Sequence, residues 1–319
     1  MIYIPTTDVG NWRNYLADPK KQWVRGFSAF ELAHSWMQAS KSNFPVSVEQ
    51  LFAVSGTSVF RELEPISMFP EHRVHLDTNQ APSQNDLFVL ARNATDLMVI
   101  MVEGKVDETF GPTVAAWLKE ASDGKMGRLQ FLLGQLNITD IDKDLIHSLR
   151  YQLLHRTTSA LLEARRYHAR QAMVLVHSFS DRLTGLLDYQ SFLALFGIEG
   201  KANTISGPLH INGIDLWFGW LADRKVSDID RVWQNLIACE GQTFTQIRGG
   251  EFNYQVRGKY LLPDRTLVQI SKKSIEEALQ YLPLMNTTVL QHLRAPSYLF
   301  ALLTDKRIIG RYNDSSEER

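Results

Sequence analysis

Two strongly apolar runs, Leu87–Ala91 and Leu97–Val102, are separated by the polar turn Asn93-Ala94-Thr95-Asp96, and together they constrain this chain more than any other feature. Such a pattern predicts an antiparallel hairpin over 86–92 and 97–103. A hairpin brings the start of one strand beside the end of the other. Asp86 opens the first strand, and Glu103 and Lys105 close the second. Residues two apart on a strand point the same way, so Glu103 and Lys105 share a face near Asp86. Two carboxylates and an ammonium at the rim of an apolar sheet are costly unless a ligand or metal uses them. The same spacing also fits three solvated strand-end residues in ordinary ion pairs.

Other elements surround that hairpin. A capping box, Ser28 with Glu31, predicts a helix to about Ala39, with Phe30, Ala33 and Met37 as its apolar stripe. Met1–Ile4 reads as a strand, Trp12–Leu16 as a brief helix, and 47–54 and 57–64 as short helices. After the hairpin, 113–121 and 125–136 read as helices. Leu145, Leu149, Leu153, Thr157 and Leu161 recur at steps of three and four, which predicts one long helix over 142–166. Ala172–His177 reads as a buried strand, 189–196 as a helix, and 209–211 with 214–221 as a hairpin about Asn212-Gly213. The expected fold class is therefore α/β: a mixed β-sheet core flanked by helices.

Gly241, Gly249 and Gly250 interrupt the pattern, so the reading divides the chain into 1–235 and a small, mainly helical domain over 241–319. Strands are expected there at 253–256 and 267–270, with helices at 272–281, 287–293 and 297–304. Its Lys272, Lys273, Arg294, Lys306 and Arg307 suit DNA phosphates, while Leu293, Leu299, Leu302 and Leu303 suit dimerisation.

Composition removes several classes of function. With 319 residues, 44% hydrophobic and 22% charged, the chain has the make-up of a globular protein. It lacks a secretory leader and any apolar run long enough for a membrane span, so a cytoplasmic location without membrane contact is expected. The single Cys239 supports neither an internal disulfide nor a cysteine zinc site. No His-x-x-x-His pair, Gly-x-Ser-x-Gly elbow or phosphate-cradling Gly-x-x-x-x-Gly-Lys loop is present. A net charge of -1 neither advertises nor forbids nucleic-acid binding.

Asp86 followed by Glu103-Gly104-Lys105 resembles the PD-(D/E)xK signature of restriction endonucleases and related repair nucleases. The resemblance spans roughly 28–180, and Asn85 stands where that motif carries proline. It implies a restriction-endonuclease-like fold and Mg²⁺-dependent (or Mn²⁺-dependent) cutting of DNA. Asp86, Glu103 and the Gly104 carbonyl would hold the metal, and Lys105 would be the catalytic lysine. Glu31, on the helix before the hairpin, would complete the metal site, although a capping role explains it equally. Gln152 would support the site from the helix after the Glu-x-Lys strand, with Arg156 and His155 touching phosphate. His34 and His177 are weaker additions beside their structural readings. The wider 1–235 segment also resembles a group of bacterial proteins of unassigned function that share the Gln-Asn-Asp-Leu-Phe-Val and Val-Glu-Gly-Lys-Val-Asp-Glu segments. The expectation is a DNA endonuclease of restriction or defence type, working as a homodimer on duplex DNA. The rival is a catalytically inactive, nuclease-fold interaction or nucleic-acid-binding protein.

Overall fold

The computed structural model describes residues 9–24, 26–39, 44–77, 81–120, 122–139, 141–223, 228–279, 281, 284 and 286–309. The strand expected at Met1–Ile4 lies outside them. Two compact units divide at 225/226, earlier than the glycines near 241 suggested. The amphipathic stretch after residue 228 belongs to the C-terminal unit.

The first unit begins with α1 (Val9–Trp12), α2 (Pro19–Gln22), α3 (Ser28–Ala39) and α4 (Val46–Ser55). There follow β1 (Glu64–Val74), β2 (Ser83–Arg92), β3 (Leu97–Lys105), α5 (Val114–Trp117), α6 (Asp123–Gln135), α7 (Lys143–Ser148) and α8 (Tyr151–Arg166). The unit closes with β4 (Gln171–Ser178), α9 (Leu186–Ala194), β5 (Thr204–Ile211) and β6 (Ile214–Ala222). The six strands form one open mixed sheet in the order β1-β2-β3-β4-β6-β5. β1, β2 and β3 pair antiparallel, β3–β4 and β4–β6 pair parallel, and β5 returns antiparallel on β6. The β5–β6 turn places Asn212 and Gly213 at φ 49° and 82°, the left-handed pair that a two-residue hairpin turn requires.

Parity assigns the faces. Val99 and Met101 pack with Phe88, Val174, Val176, Phe218 and Trp220 under α6, α8 and α9. Met98, Ile100 and Val102 pack with Leu87, Val89, Met173 and Leu175 under α3 and α4. β3 and β4 are therefore covered on both faces, which explains their unbroken apolar sequences.

Three expectations need correction. The helix expected at 57–64 is only a short 3-10 turn over Ser58–Phe60, and β1 starts at Glu64 and runs through a stretch to which the sequence assigns no element. Pro65 and Pro70 weaken the strand signal, but both are tolerated because β1 is an edge strand. The predicted helix 142–166 is broken: Leu149 turns extended, its carbonyl accepts from Val114 N at 2.8 Å, and Arg150 bridges Thr113. Leu145, placed in the buried stripe, is 45% exposed as a result. His177, expected near the same rim as Asp86, lies instead on the α3 side of the sheet. Trp36 Nε1 donates to its Nδ1 at 3.0 Å, and its Nε2 lies 3.0 Å from Asp223 Oδ2.

The C-terminal unit contains α10 (Asp228–Ala238), β7 (Phe244–Thr245), β8 (Glu251–Phe252), β9 (Tyr254–Arg257), β10 (Tyr260–Pro263) and β11 (Ile270–Ser271), followed by α11 (Lys272–Leu279), α12 (Pro296–Thr304) and α13 (Lys306–Ile309). Of the strand expected at 267–270 only Ile270 is in one, β11, which pairs with the unexpected strand Tyr260–Pro263, and Leu267 is fully exposed. Leu299, Leu302 and Leu303 are buried in this unit's own core and are not free for dimerisation. Two of the expected phosphate-binding cations are engaged locally, Lys272 by Asp230 at 2.5 Å and Arg307 by Asp305 at 2.7 Å. No helix among the described residues is long and apolar enough to cross a membrane.

The His177 cluster carries a pH prediction. Burial lowers the His177 pKa below its ordinary 6.5, against the pull of Asp223. The unfolded chain therefore takes up the proton first. The stabilisation from the neutral ring is complete above about pH 6.5 and is lost as pH falls from there through the folded pKa. Urea titrations of wild type and His177→Gln should show a stability gap at pH 7.5 that narrows at pH 5.5. A gap that widens on acidification would contradict this placement of the ring.

Candidate active site

The odd-numbered residues of β3 and the even-numbered residues of β2 face α8, so the sheet delivers Asp86, Glu103 and Lys105 to one surface. Glu103 is 3% exposed and Lys105 is 3% exposed. Their side chains are bonded, with Lys105 Nζ donating to Glu103 Oε1 at 2.6 Å. From the first turn of α8, Gln152 Nε2 donates to that same oxygen at 2.7 Å, while its own Oε1 accepts from Lys105 Nζ at 3.2 Å. One turn later Arg156 Nε donates to Glu103 Oε2 at 2.5 Å. The i,i+4 spacing of Gln152 and Arg156 puts both on one helix face, and Glu103 lies between them.

Asp86 joins by a different route. Its Oδ2 accepts the Gly104 N–H at 2.9 Å, and its Oδ1 lies 3.5 Å from Arg156 Nη2. Gly104 itself faces the other layer. A Cβ there would sit 3.3 Å from Leu32 Cδ2 and 3.4 Å from Ser28 Cβ, so the glycine lets α3 dock tightly behind the acidic pair. Asn85, in the proline position of the resembled motif, donates through Nδ2 to the His72 and Ser83 carbonyls at 3.2 Å each. Its role is to hold β1 and β2 together.

Two participants escaped the sequence reading. Glu71 lies between the paired residues Pro70↔Leu87 and His72↔Asn85, which puts it opposite Asp86. It accepts from Gln84 Nε2 at 2.8 Å and from Trp12 Nε1 at 3.4 Å. The stretch 65–74 that carries it receives no element from the sequence, because Pro65 and Pro70 blur the strand pattern. Ser83 accepts from Arg156 Nη1 at 3.3 Å and lies 2.9 Å from His155 Nδ1. It belongs to the Ser83-Gln84-Asn85-Asp86 collar, which reads only as polar.

The charge balance is uneven: Glu71, Asp86 and Glu103 face Lys105 and Arg156. Burial pushes the Glu103 carboxyl upward, but Arg156 and Lys105 outweigh it and hold the group at about 2. The surplus falls on the other two acids. Burial, then the Glu103 charge, raises the Asp86 pKa well above the carboxylate range, and burial pushes Glu71 up to about 7. His155 is driven well below the usual imidazole value by burial and then by Arg156. The ring is therefore neutral at pH 7, and the Ser83 hydroxyl is free to donate to it.

The site opens onto a cleft of about 620 Å³. Its lining includes Lys105, Arg128, Gln152, His155 and Arg156, with Tyr151 and Trp117 stacked 3.9 Å apart, and no Asp or Glu among the described lining residues. Each cation of this lining is paired with a carboxylate behind it, Lys105 and Arg156 with Glu103 and Arg128 with Asp77. Arg128 is held by Asp77 at 2.9 Å and by the Ala81 carbonyl at 2.8 Å.

The remaining expected residues lie elsewhere. Glu31 accepts the Gly26 N–H at 2.9 Å, five residues back, and so closes the start of α3. Among the described residues no group of three or more His, Cys, Asp or Glu is arranged to hold a metal ion, so Glu31 does not complete such a set. His34 packs against Phe30 at 4.3 Å.

Removing one member of this buried network leaves the others uncompensated, which costs about 3–5 kcal/mol. Glu103→Gln and Arg156→Met should each lower stability by about that much in urea titrations. The double variant should recover about 1–3 kcal/mol of the summed loss. Strict additivity would show that the two groups do not interact.

Comparison with known proteins adds a family and no function. No curated protein and no solved structure matches the chain. A family model described as a domain of unknown function, DUF6946, matches residues 5–225, which covers the six-stranded sheet and every residue of the site. On that match the chain belongs to the DUF6946 family.

Proposed function

We propose that this chain is a metal-dependent phosphodiester hydrolase acting on nucleic acid, with DNA as its first candidate substrate, in the manner of the PD-(D/E)xK nucleases. The observation that carries the reading is the meeting of Asp86, Glu103, Lys105 and Gln152 at the edge of a cleft lined by Lys105, Arg128 and Arg156.

A hard divalent cation fits the donors present. Asp86 and Glu103 offer only oxygens, the ligand class of Mg²⁺ and Mn²⁺, and Mg²⁺ keeps several waters and needs few protein ligands. The pair already grips one cation, the Arg156 guanidinium. Asp86 and Glu103, with the Gly104 carbonyl, would hold the metal. When bound, it would polarise a phosphoryl oxygen and lower the pKa of water.

The chain's own residues supply the remainder. Lys105 Nζ, fixed by Glu103 and Gln152, lines the cleft where it can hold the attacking water and balance charge growing on the phosphate. Gln152 spans both partners and positions them. Arg156 and the neutral His155 face the same cleft and suit the phosphate oxygens. Two copies would be needed to cut both strands of a duplex symmetrically.

A second reading has its own observation. Both Glu103 oxygens are engaged by protein donors, as expected of a nuclease scaffold that binds nucleic acid without cutting it.

Incubation with plasmid DNA, DNA oligonucleotides and RNA in Mg²⁺ or Mn²⁺ separates the two. Wild type should cut, and Asp86→Asn, Glu103→Gln and Lys105→Ala should each slow cutting by at least about a hundredfold. Cutting by Lys105→Ala at the wild-type rate would remove the assignment. Retention of nucleic acid with no cleavage in either metal would favour the scaffold reading.

A further inference from the structure

Arg156 contacts both carboxylates that would hold the metal. Its Nε donates to Glu103 Oε2 at 2.5 Å and its Nη2 lies 3.5 Å from Asp86 Oδ1. The opposite oxygens of both carboxylates are taken within the β2–β3 hairpin and by Gln152. Glu103 Oε1 accepts from Lys105 and Gln152, and Asp86 Oδ2 accepts from the Gly104 N–H. The two oxygens left to grip a divalent ion are therefore the two that hold the guanidinium. In this arrangement arginine and metal exclude each other.

Displacing Arg156 is costly unless it finds another anion. The residue is only 7% exposed, and a buried guanidinium without a counter-ion is strongly destabilising. Its third contact is the neutral Ser83 hydroxyl at 3.3 Å, which cannot replace a carboxylate. Yet the side chain lines the cleft together with Lys105 and His155. A phosphodiester entering there presents two oxygens in the geometry that the guanidinium fork matches.

We propose that Arg156 is a substrate-operated latch: in the free protein it occupies the outward oxygens of Asp86 and Glu103, and it passes to the phosphodiester of a nucleic acid in the cleft, so that the divalent cation and the phosphate bind as a coupled pair. This rests on the hydrolase reading above and adds to it the regulation of the metal site. Without nucleic acid the protein holds metal weakly. By reciprocity, metal strengthens nucleic-acid binding by the same factor that nucleic acid strengthens metal binding.

Isothermal titration with Mn²⁺ tests the latch, alone and with a phosphorothioate-linked DNA duplex that resists cleavage. Wild type should bind Mn²⁺ at least about tenfold more tightly with the duplex present. Arg156→Met should bind Mn²⁺ alone about tenfold more tightly than wild type does, with a gain from the duplex cut to below about threefold. That residual gain is the direct contact of phosphate with metal; the lost portion is the latch. If Arg156→Met does not fold by circular dichroism, Arg156→Lys keeps the charge but cannot span both carboxylates, and it too should bind Mn²⁺ alone more tightly than wild type. Equal wild-type affinity with and without the duplex, or no gain in the folded variant, overturns the latch. If Asp86→Asn still abolishes Mn²⁺ uptake in that case, the hydrolase reading stands. No uptake by any form, duplex included, ends both.

Discussion

The buried carboxylate of Glu103 organises this molecule. It is 3% exposed and accepts from Lys105 on its own strand and from Gln152 and Arg156 on α8. An ionised carboxylate so placed is tolerable only when its lone pairs are filled by charged or strongly polar donors. That requirement fixes the rotation of α8 over the sheet, because Gln152 and Arg156 must straddle one side chain. It also fixes the register of β3. A slip of one residue would turn Glu103 and Lys105 toward the aromatic layer of α3 and α4 and send Val102 and Gly104 to the cleft.

The same demand explains the division between the two faces of the sheet. The α3 side is dry and ring-rich, with Trp36, Phe44, Phe52 and Phe60 in successive contact and His177 sealed against Trp36. The α8 side is apolar beneath the helix but turns polar where β2 and β3 reach their outer ends. Gly104 separates the regimes: it has no side chain to obstruct α3, and its N–H orients Asp86. A larger residue there would push back the layer that supports the acids.

Much of this was legible because strand parity is a strict code. Apolar runs with a polar turn give the hairpin, and a period of two places Asp86, Glu103 and Lys105 on one side without any tertiary information. Gln152 is singled out only by the resemblance to nucleases that carry a glutamine on the helix after the Glu-x-Lys strand; its own spacing fits a solvated helix face equally. What could not be read depends on partners distant in sequence. β1 carries two prolines and alternates poorly, so its strand character comes from pairing with β2 and not from its own residues. Glu71, the third acid, was lost with it. Glu31 stood in a capping pattern that was correct in kind but reached Gly26, because the helix starts one residue earlier than Ser28 as a cap would allow.

The break before α8 carries the largest functional consequence of any feature the sequence concealed. Periodic leucines run through 145, 149 and 153, so local preference favours one continuous helix. The backbone departs from it because the Leu149 carbonyl accepts from Val114 and the Tyr151 N–H donates to Pro112. These bonds tie the segment after β3 to the start of α8. They bring Phe110, Gly111 and Pro112 to one wall of the cleft, and they let α8 begin at Tyr151 with Gln152 in its first turn. The interruption therefore does two things together: it leaves the cleft open beside Lys105, and it sets the distance along α8 at which Gln152 and Arg156 meet Glu103. A local loss of helical hydrogen bonding is offset by the ladder-like bonds to the preceding loop, so the cleft comes at little cost to the fold.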